Sequence, residues 1–114
     1  MHASRHDSRV PGGGLTACVE EPTHGLSWHA VIDISEGGLH LARLSLPVGS
    51  QITFDIEGVE LRCHGSGHVV RSSDGSVAVA VDQWSESADS VLALVTAGLL
   101  ADMEWRELYV SNWP

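Results

Sequence analysis

The chain has 114 residues, 43% of them apolar and 18% charged, which fits one globular domain and excludes a disordered chain. Its net charge is −9, with six Arg and no Lys, so a broad basic face for duplex nucleic acid is excluded. No apolar run reaches the length of a membrane span, and "MHASRHDSRVPGGG" lacks the apolar middle of a signal peptide, so a cytoplasmic protein is expected, without membrane insertion.

In chain order, residues 1 to 14 have almost no apolar pattern and end in "PGGG", which predicts a mobile arm. Residues 15 to 84 then give short alternating runs. Leu15, Ala17 and Val19 fall on one side of "LTACVE". Leu26, Trp28, Ala30, Ile32 and Ile34 fall on one side of "LSWHAVIDI", and Leu39 and Leu41 continue the buried side in "GLHLARL". Ile52, Phe54 and Ile56 line "SQITFDI"; Val59, Leu61 and Cys63 line "VELRCH"; "HVVRS" is short; Val77, Val79 and Val81 line "SVAVAVD". Turn residues separate these runs at "EPTHG", "LPVG", "EG", "GSG" and "SSDG". Many short strands with no helix between them predict an antiparallel sandwich or barrel.

After Trp84 the period changes. "SESADS" carries Ser and Asp suited to a helix N-terminus, and Val91, Leu94, Val95 and Leu99 recur at helical spacing, so residues 85 to 114 read as a helical segment packed on the core. "DMEWRELYV" reads as a second short helix. The segment from 72 to 114 holds one Arg against seven acids, which suits a basic protein partner. Cys18 and Cys63 lie in separate strand-like runs and read as buried, reduced thiols.

Two patterns carry chemistry. "RHDSR" in the arm gives Arg5 and Arg9; "DISEGG" at the break in a strand gives Asp33, Ser35 and Gly38. Arg forks match phosphate oxygens bidentately and can also read the O6 and N7 edge of guanine. In extended chain, Arg5 and Arg9 stand about 13 Å apart at Cα, close enough for long side chains to converge on one ligand. A carboxylate such as Asp33 accepts the guanine N–H donors that Arg cannot satisfy. Ser35, two residues on, shares a face with Asp33 on a regular strand, and Gly38 lets a ligand approach the backbone. An ordinary turn capped by Asp and Ser is the plain alternative.

With both patterns in this order, the chain resembles the PilZ domain family, bacterial receptors for cyclic di-GMP built on a six-stranded antiparallel β-barrel with a C-terminal helix. The family's signature is Arg-x-x-x-Arg on an arm, then Asp/Asn-x-Ser-x-x-Gly on the barrel, and both halves are matched in full. "SRVP" and "GHVVRSSDGSVAVAV" are also similar to the family, over roughly residues 5 to 95. The resemblance implies that Arg5 and Arg9 bind phosphate and guanine, and that Asp33, Ser35 and Gly38 form the barrel side of the site. It implies a receptor without chemistry of its own or a further cofactor, which orders its arm on binding and signals to a protein partner. Many members carry a large or basic residue where this chain has Ser4, so one nucleotide and a stacked pair both stay open.

Two rival readings remain. One is a PilZ-like adaptor in type IV pilus or motility assembly that binds no nucleotide. The other is a small metal-dependent enzyme using the histidines, with "CHGSGH" the richest stretch; it lacks a second Cys or a carboxylate at finger-like spacing. His40 and Glu36 have no companion nucleophile motif.

Overall fold

A computed structural model describes residues 10–12, 14–23, 25–58 and 60–98. Its strands are β1 (Val10–Pro11), β2 (Thr16–Glu21), β3 (Gly25–Ile34), β4 (Gly38–Ala42), β5 (Gln51–Glu57), β6 (Arg62–Ser73) and β7 (Ser76–Trp84). One helix, α1, starts at residue 88 and runs to the end of the described segment at 98. The strands are joined in the order β3–β2–β5–β6–β7–β4, and β4 pairs back with β3. Every pairing is antiparallel. The fold is thus the expected mainly β, closed six-stranded antiparallel barrel with a C-terminal helix. Closure leaves no long exposed strand edge.

The barrel interior is filled as the alternation of β2, β4, β5 and β7 predicts. Val19, Leu39, Leu41, Ile52, Phe54, Ile56, Val77 and Val79 are all buried there. Helix α1 closes the core with Val91, Leu94 and Val95, the i, i+3, i+4 face of its first turns. Its N-terminus is capped by Ser87, whose Oγ accepts the Ser90 N–H at 3.2 Å. Leu99 and the stretch read as a second short helix lie outside the described residues. The hairpin between β6 and β7 turns on Asp74 and Gly75, both at positive φ (51° and 78°), as a two-residue Asp-Gly turn requires.

Three expectations need correction. The first concerns β3. Leu26, Trp28 and Ile32 are exposed at 68%, 62% and 43%, whereas His29 and Val31 face the interior. The pairing of β3 with β4 jumps between Val31 and Asp33, so Ile32 is an extra residue in the ladder. Before this bulge the odd-numbered residues point inward; after it Ile34 does, at 0% exposure. The buried His29 is satisfied: its Nδ1–H donates to the Ala42 carbonyl at 2.9 Å, and its Nε2 lies 2.6 Å from Ser27 Oγ.

The second concerns "GSG". It is no turn, because β6 runs unbroken from Arg62 to Ser73. A Cβ on Gly65 would lie 2.8 Å from Phe54 Cε1, and one on Gly67 would lie 2.3 Å from the Ala80 carbonyl oxygen. These glycines let the Phe54 ring and the β7 backbone come close. Phe54 in turn packs edge-on against Trp84, with ring centroids 5.4 Å apart.

The third concerns the thiols. Both cysteines are free, but only Cys63 is buried; Cys18 is half-exposed on the outward side of β2. Burial, and secondarily the Glu86 carboxylate, push the Cys63 thiol above its ordinary value of 9.0. The folded state therefore keeps its proton where the unfolded chain ionises. The associated stability is complete below pH 9.0 and is lost as pH rises through the folded value. At pH 8, a disulfide reagent should titrate Cys18 readily and Cys63 only after denaturant is added. Equal rates for both thiols in the native protein would contradict the buried position of Cys63.

Candidate functional site

The site read from the sequence lies where β3 ends, at the bulge and the turn into β4. Ser35, Glu36 and Gly37 connect the two strands, and the Ser35 N–H donates to the Gly38 carbonyl at 2.9 Å across the turn. The turn is pinned to β7 at two further carbonyls. Val81 N–H donates to Gly37 at 2.9 Å, and the Trp84 indole N–H donates to Glu36 at 2.7 Å. Four backbone and side-chain hydrogen bonds of this kind, counting the one from the Ser35 hydroxyl (3.4 Å to Gly38), hold a short loop in one shape.

Asp33 faces outward and is partly exposed. Ser35 does not share that face. It is 1% exposed, and its hydroxyl is spent on the Gly38 carbonyl. The end of the strand is the cause: past the bulge the ladder is regular again, with Asp33 opposite His40 and Ile34 opposite Leu39, and the chain turns at Ser35, whose side chain goes inward. Gly38 is buried, with Ala80 of β7 as its pairing partner.

Sequence reasoning missed His40, Ser76 and Trp84. His40 stands opposite Asp33 on β4, with Nδ1 3.5 Å from the Asp33 carboxylate and Nε2 2.9 Å from Ser76 Oγ. The Ser76 hydroxyl also reaches the Ser73 carbonyl at 3.2 Å. The His40–Ser76 contact joins strands 36 residues apart, and the His40–Asp33 contact depends on the shifted β3–β4 register. Among the described residues, no group of three or more His, Cys, Asp or Glu is arranged to hold a metal ion. In the described residues no helix is long and apolar enough to cross a membrane.

Arg5 and Arg9 lie outside the described residues. The chain that follows Arg9 does not. Val10 and Pro11 form β1, antiparallel to the end of β3, with Pro11 opposite Asp33 and Val10 opposite Ile34. β1 takes the lane along β3 that β2 leaves after Thr16, which pairs with Ala30. Between them the Val31 N–H donates to the Leu15 carbonyl and the Gly12 N–H to the Ile32 carbonyl, at 3.2 and 3.0 Å. Val10 to Gly12, at the end of the stretch read as a mobile arm, are thus paired with β3. A Cβ at Gly12 would lie 1.8 Å from the Val31 carbonyl oxygen, so glycine is what lets the chain lie against the bulge.

Gly12→Ala should therefore force β1 off β3 and cost about 1–3 kcal/mol of stability in urea unfolding. A midpoint unchanged from wild type would mean that β1 does not hold that position. No family model matches the chain, and no curated protein is significantly similar to it.

Proposed function

We propose that this chain is a cyclic di-GMP receptor of the PilZ kind, whose ligand lies on the outer wall of the barrel between the arm and the end of β3. Arg5 and Arg9 grip phosphate and guanine, Asp33 accepts guanine N–H donors, and the bound state is passed to a protein partner. The observation that carries the reading is the β1–β3 pairing, with Pro11 opposite Asp33. Arg9 is two residues from Pro11, so at most about 7 Å of extended chain separates its Cα from the position facing the carboxylate. Arg5 is four residues further back, within about 21 Å of that position. The two halves of the motif, distant in sequence, thus have a short covalent path to one place.

In this reading Ser35 and Gly38 act through the turn. Ser35 fixes the loop that follows Asp33, and His40 orients the carboxylate from the neighbouring strand. The acidic chain suits a small anion held by a few aimed arginines better than a long polyanion. The apolar outer side of β3 favours a second reading, an assembly adaptor that binds no nucleotide.

Calorimetric titration with cyclic di-GMP, against GTP and cyclic di-AMP, separates the two. Wild type should bind cyclic di-GMP alone; adenine offers a donor where guanine has O6 and lacks the N2 donor. Arg5→Ala, Arg9→Ala and Asp33→Ala should each weaken binding at least tenfold, about 1.4 kcal/mol, with the thermal midpoint nearly unchanged. No binding by wild type would leave the adaptor reading, and equal affinity for cyclic di-AMP would remove guanine recognition.

A further inference from the structure

The outer side of β3 carries Leu26, Trp28, Ala30 and Ile32 in one exposed line, about 20 Å long at strand spacing. Apolar side chains this large and contiguous on a surface mark an interaction site. Across the ladder, Leu26 stands opposite Glu20, Trp28 opposite Cys18 and Ala30 opposite Thr16. One strand further, Thr53, Asp55 and Glu57 continue the same rows. Asp55 and Glu57 are paired on their far side, with His64 at 2.9 Å and Arg62 at 3.1 Å. Glu20 has no ion-pair partner among the described residues. It lines a groove of about 450 Å³ together with Pro22, Thr53 and Ser66.

We propose that this face docks a segment of another protein that presents apolar side chains to the β3 line and a Lys or Arg to Glu20. Charge selects this occupant over the others. A second copy brings another −9, which opposes self-association. Residues 99–114 of this chain are apolar enough, but Asp102, Glu104 and Glu107 outweigh Arg106. An anionic lipid surface is repelled by the same carboxylates. A basic, apolar segment meets both features at once, and Trp28 is the kind of residue on which such interfaces concentrate their binding energy. The surface stands on exposure and register alone and does not depend on nucleotide binding.

The probe is a random 12-residue peptide library displayed on phage, panned on the full chain without nucleotide. A Leu26→Ser/Trp28→Ser/Ile32→Ser variant serves for depletion. Enriched peptides should combine Lys or Arg with at least two apolar residues. They should bind wild type at least tenfold more tightly than Trp28→Ser and than Glu20→Arg. The second variant leaves the apolar line intact and so separates charge from folding. Acidic consensus sequences, peptides indifferent to both substitutions, or no enrichment over the depleted pool would overturn the proposal. So would sedimentation showing a wild-type dimer that Trp28→Ser dissolves, which would make the occupant a second copy. Because nucleotide is absent throughout, none of these outcomes bears on the cyclic di-GMP titration.

Discussion

The extra residue at Ile32 is the constraint on which the rest depends. β3 is the strand that closes the barrel, pairing with β2 along its first half and with β4 along its second. A regular strand would keep one set of alternate residues inside throughout. The bulge lets the strand change phase, so that Val31 and Ile34 both reach the core while Ile32 and Asp33 both stay outside. Beyond Ala30, where the pairing with β2 ends, β1 fills the lane beside β3. The outward carboxylate and the exposed apolar line follow from one inserted residue, and the docked base of the arm lies against it.

Charge on the barrel wall follows a consistent pattern. Three wall carboxylates, Asp33, Asp55 and Asp82, each face a histidine across the ladder, His40, His64 and His68. Such exposed pairs contribute at most about 1 kcal/mol each. Arginine is used sparingly: among the described residues, only Arg62 has a carboxylate partner, Glu57. Of the six arginines, Arg5 and Arg9 fall in the first nine residues, while Arg43 and Arg71 are exposed on the barrel.

Most of the architecture was legible because periodicity reports burial directly. The phases of β2, β4, β5 and β7, the turn at Asp74–Gly75 and the Ser-led start of α1 all follow from local pattern. The phase of β3 was not legible, because a bulge has no signature in an alternating run that is apolar on both sides, as "LSWHAVIDI" is. Glycine misled twice for one reason. Gly12 and Gly67 are needed where another backbone passes within contact distance, and in sequence that looks the same as flexibility or a turn. Of the candidate site, the outward direction of Asp33 was legible from its alternation with Ile34. Ser35, expected to share the outer face with Asp33, is buried in the turn, because β3 ends at Ile34 and alternation stops there. The Ser76 and Trp84 contacts were invisible because they span 36 and 48 residues of chain, and the His40–Asp33 contact because it depends on the β3–β4 register that the bulge sets.

Amide hydrogen exchange with and without cyclic di-GMP tests the central claim most directly, because it reads the arm and the strand end together. The account predicts added protection in residues 5 to 12 and 33 to 38, with the strands of the barrel unchanged, since packed interiors resist deformation. Protection rising mainly after Ser87 while residues 5 to 12 exchange as before, or no change at saturating nucleotide, would contradict it.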